Sequence, residues 1–419
     1  MKKYLLLLLS LTMLWACAKD DDPVVEESHL TNRTVLVYAA AENNLDPFLD
    51  EDIEEMKTGS LQLGEDQNLV LYVNRADSNS TPYMARVFRG ELVDTVYMPE
   101  VLASDPAVLS GVLRKTLERY PAQSYGLVLW GHCTGWDILV DTIPATKAYG
   151  GSTGDNTSDT PGNYWMNIPD MNEAIIAGMD GKKLSFIFGD CCNFICIEIA
   201  YELRNVTDYI IGSPAEIPDR GAPYNLCVAD FFLESADFYR QLIDHYYDCW
   251  IDMYNERPND YSGKLSGYSV PLSVVKTSQL DDLAAATSNL LGTIADKVSS
   301  TGSLNLNGAL FYYSYGMYKR FSYDMNNVFK RNAATEDYNN WMNFYEQAIP
   351  YARHSAKWMA NCILVRWEMD DFVDIPSADC GSIGMFFPDS IYIESKYDWN
   401  NTIRQFQWND VIHWEQYGW

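Results

Sequence analysis

Two residues carry most of the reactive potential of this chain, Cys192 and His132. A thiol is a poor nucleophile until it loses its proton; a neighbouring imidazole lowers its pKa and later protonates a leaving amine. Each of the two follows directly on a predicted buried strand. Residues 184–190 are mostly apolar, too few for a helix and rich in strand formers, and the run stops at Asp190–Cys191–Cys192. Residues 126–130 form a second such run, stopping at Gly131–His132. Open α/β sheets carry their chemistry at the carboxyl edge, where both residues fall. Helical spacing over 195–203 puts a helix N-terminus just beyond Cys192, a position that favours a thiolate. By residue type alone, a buried structural cysteine and a hydrogen-bonded histidine would account for the same pattern.

The elements that must position these residues alternate from residue 33 to about 255. Strands are predicted over 34–40, 69–73, 126–130, 184–190 and 209–211, with a hairpin of 84–88 and 91–98 turning at Gly90. Asp46–Pro47 and Asp105–Pro106 open helices, with Asp as cap and Pro in the first turn. Val108, Leu109, Val112, Leu113 and Leu117 share one face of the second. Residues 171–179 form another helix, and the polar stretch 137–165 reads as an exposed loop. This alternation implies a mostly parallel sheet covered on both faces, a three-layer α/β/α sandwich spanning 33–258. Residues 259–419 are expected to form an α/β subdomain packed on it. Its predicted elements are strands over 268–275, 362–367 and 383–388 and helices over 279–298 and 337–349.

Composition narrows the function further. The chain has 58 Asp and Glu against 30 Lys and Arg, a net charge of −28, which argues against nucleic acid as a partner. Residues 1–16 read as a signal segment, with Lys2 and Lys3 before a leucine-rich run too short to span a bilayer. Leu14–Trp15–Ala16–Cys17 resembles a bacterial lipobox, which implies lipidation of Cys17, with residues 17–32 as a tether. Lys19–Asp20–Asp21–Asp22 resembles surface-export signals of Gram-negative lipoproteins. The expected location is therefore the bacterial outer membrane or cell surface, with the lipid as the membrane contact. The remaining eight cysteines show no CxxC pair or Cys/His cluster, so no zinc site is expected.

Several ordered motifs resemble the clostripain-type cysteine peptidases, relatives of caspases, gingipains and legumains, over most of the chain beyond the tether. Val37 to Leu45 is similar to the family's first strand and Asp-Asn-Asn-Leu turn, with Glu42 in the Asp place. Leu129 to Trp136 is similar to its Trp-x-His-Gly stretch, and Asp190–Cys191–Cys192 to its Asp-Ala-Cys nucleophile motif. Residues 197–203 match the helix behind that motif, and 383–388 resemble its late Ser-Ile-Tyr-Phe-Pro strand. The resemblance implies an endopeptidase acting on peptides or proteins, with Cys192 as nucleophile and His132 as general acid/base. Backbone N–H groups of Cys192 and Cys133 would form the oxyanion hole. Cys133 stands where the family has Gly, and a left-handed backbone there would strain it and distort the hole. That departure supports the rival reading, an impaired lipoprotein that acts in binding or assembly. Cys133, Cys191 and Cys192 could also pair as a disulfide that silences the site.

The resemblance further implies cleavage after Arg or Lys, recognised by carboxylates that pair with a guanidinium. Asp190 takes the family's motif aspartate, although it could equally cap the following helix. Glu216 and Asp219 are candidates for the second acid, with Arg220 placed to neutralise either. Some relatives cut themselves between the histidine and cysteine strands, where Lys147 is the one basic residue before Lys182. No cofactor is required by the sequence. Because some relatives require calcium, Glu368–Met369–Asp370–Asp371–Phe372 is the calcium candidate, without EF-hand spacing.

Overall fold

A computed structural model describes residues 30–77, 79–138, 149–152, 164–256, 270–301, 304–315, 319–355, 357–359, 372–374, 380–388 and 398–417. Its main sheet is built from β1 (Thr31–Ala41), β2 (Gln67–Arg75), β3 (Tyr83–Phe88), β4 (Glu91–Tyr97), β5 (Ala122–Trp130), β6 (Phe186–Asp190), β7 (Tyr209–Gly212), β8 (Leu272–Lys276) and β9 (Tyr351–Arg353). They lie in the order β9-β8-β7-β6-β5-β1-β2-β3-β4. The inner strands β2, β1, β5, β6 and β7 run parallel, and the outer ones add antiparallel. The expected three-layer α/β/α arrangement with a mostly parallel sheet is the one observed.

Alternation along β1 divides the interior into two cores. Leu36, Tyr38 and Ala40 face one apolar cluster, and Val35, Val37, Ala39 and Ala41 face the other. Helices α1 (Asp46–Ser60), α5 (Tyr224–Asp230) and α6 (Phe238–Glu256) cover the second face. Helices α2 (Pro106–Arg119), α3 (Ile168–Gly178) and α4 (Ile197–Glu202) cover the first, joined there by α7 (Leu280–Thr301), α8 (Met325–Asn332) and α9 (Thr335–Ala348). Burial on both faces explains why β1, β5 and β6 read as continuous apolar runs.

Local details depart from expectation in instructive ways. Asp105 caps α2, accepting from the Ala107 N–H at 2.8 Å. Asp46 does not cap α1; the N-cap is Leu45, and the Asp46 carboxylate instead pairs with Arg75 at 2.8 Å. The hairpin turns on Arg89 and Gly90, both with positive φ, the geometry that suits the twist of two antiparallel strands. Helix α3 starts earlier than predicted, with Pro169 in its first turn after an Asn167 N-cap. Helix α4 begins only at Ile197, so its N-terminus does not abut Cys192. Within the stretch 137–165, Asp137 is buried rather than exposed, and Tyr149–Ser152 pairs with Tyr164–Met166.

In the second half of the chain, β8 and β9 extend the main sheet directly. The late strand shrinks to Gly384–Met385, which pairs with Lys319–Asp324. Just after it, the Phe386 N–H donates to the buried Glu198 carboxylate on α4 at 2.7 Å. Residues 362–367 lie outside the described residues.

Beyond β6 the chain path depends on one missing side chain. Phe194 folds back over Gly189, where an added Cβ would lie 2.3 Å from the Phe194 ring. Gly189→Ala should therefore displace the 190–194 turn. We expect a loss of about 1–3 kcal/mol in urea unfolding, the usual cost of overpacking, together with slower alkylation of Cys192.

Candidate active site

Four segments leave the carboxyl ends of β1, β5, β6 and β7 and enclose one cavity of about 370 Å3. Asn44, Leu45 and Phe48 come from the first, Trp130 to Thr134 from the second, Asp190 to Asn193 from the third, and Glu216 to Asp219 with Gly221 from the fourth. From β1 the chain runs to β2 on one side, whereas β5, β6 and β7 extend the sheet on the other. The cavity thus sits at a topological switch point, where strand-end loops diverge and leave a crevice.

His132 and Cys192 both line this cavity. Cys192 is partly exposed, and the Ile217 N–H donates to its Sγ at 3.4 Å. A hydrogen bond to the sulfur favours the thiolate. His132 Nε2 lies 2.8 Å from Asn44 Oδ1. Because that oxygen only accepts, Nε2 is the donor in this pair. Asn44 stands out as a site residue that sequence reasoning had only inside a motif. Its neighbour Asn43 fixes the turn that presents it, donating to the Ala40 carbonyl at 2.8 Å and accepting from the Leu45 N–H at 2.9 Å.

Cys133 is not strained. The described non-glycine residues with positive φ include Asn193 but not Cys133, and the left-handed positions flanking it fall on Gly131 and Gly135. The sequence-based reason for a distorted oxyanion hole is thereby removed. Asn193, directly after Cys192, takes φ 55°, a conformation asparagine tolerates better than most residues, and its N–H donates to Ala215 at 2.9 Å. Cys133, Cys191 and Cys192 are all free thiols.

The acids of this region form two layers. Asp190 is buried at the cavity wall and accepts from the Ala222 N–H at 3.0 Å, Tyr224 Oη at 2.7 Å and Tyr246 Oη at 3.4 Å. It does not cap α4, whose N-cap is Cys196. Gly221, at φ 59°, leaves room for the carboxylate, since a Cβ there would fall 2.7 Å from Oδ2. Burial raises the Asp190 pKa to about 6, against the opposing pull of its three donors. Glu216 is a buried lining residue and Asp219 an exposed one. Arg220 neutralises neither; it pairs with Glu51 of α1 at 3.1 Å.

Behind Asp190, Asp52 accepts from Trp130 Nε1 at 2.6 Å. Burial, then the charge of Asp190, pushes its pKa to about 9. Glu55 accepts from the Tyr224 N–H at 2.9 Å, and burial raises its pKa too. Among the described residues no three His, Cys, Asp or Glu side chains gather as a metal site. Cys17, Lys147 and residues 368–371 lie outside the described residues.

The clostripain family model matches residues 37–417. Among solved structures, the chain is similar to a secreted C11 cysteine protease from Bacteroides thetaiotaomicron in complex with an irreversible peptide inhibitor. The match has 26% identity and a TM-score of 0.74, and it covers 92% of this chain and 99% of that one. It is also similar to an inactive zymogen C11 protease from Parabacteroides distasonis, at 24% identity and a TM-score of 0.71, over 91% of this chain and 98% of the other. No curated protein sequence matches.

The Asp52 carboxyl gives a stability test. Its folded pKa lies above the ordinary 3.8, so between about pH 4 and 9 the folded state holds more protons than the unfolded one. Stability should fall as pH rises through that window and level off above it. Asp52→Asn keeps an acceptor for Trp130 and removes the titration, so its Tm at about pH 9 should exceed the wild type's. Equal alkaline slopes for the two proteins would contradict this.

Proposed function

The chain belongs to the clostripain family and is a cysteine peptidase, and from that premise we propose that it cleaves peptides after Arg or Lys with a Cys192–His132 dyad. The observation that carries the reading is that a sulfur from the end of β6 and an imidazole from the end of β5 line a single cavity. His132, held by Asn44, takes the thiol proton at Nδ1, and the Ile217 N–H stabilises the thiolate. Cys192 Sγ attacks the scissile carbonyl. The developing oxyanion is met by the backbone N–H groups of Cys192 and Cys133. His132 returns its proton to the leaving amine, and water then releases the acyl group from Cys192.

Asp190 supplies the charge that selects a basic side chain, with Glu216 deepening the negative wall and Asp219 at the lip. A buried carboxylate suits this role because an entering guanidinium finds little competing water. We further propose export of the chain and lipid anchoring through Cys17 at the outer membrane, which agrees with the secreted relative. Self-cleavage after Lys147 belongs to the same reading, as does calcium at residues 368–372.

A peptidyl acyloxymethyl ketone ending in Arg or Lys should add one inhibitor mass to the wild type and none to Cys192→Ala. His132→Ala should lower kcat on the order of 10²–10⁴-fold, the usual worth of a general acid/base. Asn44→Ala should lower it by up to about 10²-fold through misplacement of the ring. Asp190→Asn should cut kcat/KM for Arg substrates by about 10²-fold while sparing neutral ones, since it removes one partner of a buried charge pair. Because Asp190 ionises near pH 6, the preference for Arg over a neutral residue should grow as pH rises from about 5 to 7. A preference for Asp at the cleaved position would overturn the specificity.

A further inference from the structure

Three thiols border the cavity, and the mechanism uses only one of them. Cys133 and Cys191 line it beside Cys192, yet both are buried and belong to the apolar cluster on the α2–α4 side of the sheet. Parallel pairing of β5 with β6, with Trp130 opposite Asp190, brings the segments after the two strands side by side. The Cys133 and Cys191 side chains both belong to the same buried cluster on one side of that sheet edge.

The three differ in their exposure to an oxidant. Cys192 is partly exposed and has a backbone donor on its sulfur. Burial pushes the Cys191 thiol well above its ordinary pKa, and Cys133 adds to the effect. A protonated, enclosed thiol reacts slowly with peroxide, whereas an accessible thiolate reacts first.

We propose that Cys133 and Cys191 form an internal dithiol that rescues Cys192 from oxidation by hydroperoxides, ending as a Cys133–Cys191 disulfide. The Cys192 thiolate attacks the hydroperoxide; an S–O bond forms, the O–O bond breaks, and the alkoxide leaves and is protonated to an alcohol, giving a sulfenic acid. Cys133 attacks that sulfur; an S–S bond forms, and hydroxide leaves with the thiol proton as water. Cys191 then attacks the Cys133 sulfur and expels Cys192, which recovers its proton. In sum, two thiols and one hydroperoxide give one disulfide, one alcohol and one water.

The order of attack follows from geometry. A direct bond between Cys191 and Cys192 would join residues whose Cα atoms are about 3.8 Å apart across a trans peptide, below the roughly 4.4 Å that disulfides normally need. Cys133 sits on the neighbouring strand end and escapes that limit. The final bridge joins the two thiols that share the dry cluster.

The inference rests on Cys192 being the reactive thiol proposed above. The test exposes the reduced full-length enzyme to one equivalent of hydrogen peroxide and follows intact mass, peptide mapping and activity regained after a thiol reductant. The wild type should lose two hydrogens, map a Cys133–Cys191 bridge and regain full activity. Cys191→Ala, which carries the residue usual in the family at that place, should turn over normally when reduced. After one equivalent of peroxide it should also lose two hydrogens but stop at a Cys133–Cys192 bridge, which keeps the nucleophile blocked until the reductant is added. Oxygen addition to Cys192 in the wild type without a bridge, or a Cys191→Ala enzyme with oxygen on Cys192 and no Cys133–Cys192 bridge, would overturn the dithiol. If the reduced wild type neither labels nor turns over, it is the peptidase mechanism that fails, while the bridge can still be mapped.

Discussion

The parallel pairing of β5 with β6 is the constraint on which the site depends. Trp130 lies opposite Asp190, so the two chains leave the sheet side by side and at the same level. His132 and Cys192 each follow two residues later. Any slip of register would separate them, and burial on both faces resists a slip, because shifting by one residue would turn each strand's side chains toward the opposite core. The proposed pair therefore draws its placement from two apolar cores rather than from its own loop.

The loops then add what strands cannot. The turn after β1 delivers Asn44 to the imidazole, and the segment after β7 delivers the Ile217 N–H to the sulfur and Gly221 to the Asp190 carboxylate. Each contact is a single hydrogen bond or a close approach. Together they orient the His132 ring and the Asp190 carboxylate at the cavity. Tyr224 and Tyr246 hold that carboxylate from behind.

Acidic groups are concentrated where their charge is hardest to keep. Asp190, Asp52 and Glu55 all have raised pKa values, and burial is the largest cause for each. In the proposed specificity, such a wall would gain from a cationic side chain, whose charge would offset the desolvation the protein imposes. Arg220 pairs with Glu51 at the surface, and its charge lowers the Glu55 pKa only as the smallest of the effects on that group.

The sequence by itself determined the inner strands and the class of sheet, and it singled out the two residues proposed to react. Doubly buried parallel strands must be continuous apolar runs, and short runs of that kind are legible without coordinates. The hairpin was legible through Gly90 and the second helix through Asp105–Pro106, since turn and cap chemistry is local. Only the tertiary structure decided the rest. The spacing of residues 195–203 imitates a helix from the first cysteines onward, but Asn193 turns left-handed and the chain pairs with residues 213–215 before α4 begins. Asp46 looked like a cap until Arg75, far along the chain, claimed it. Asn44 meets His132 across 88 residues, Arg220 meets Glu51 across 169, and the donors to Asp190 come from 32 to 56 residues downstream. Such pairings depend on where the sheet delivers its loop ends, and no local propensity encodes them.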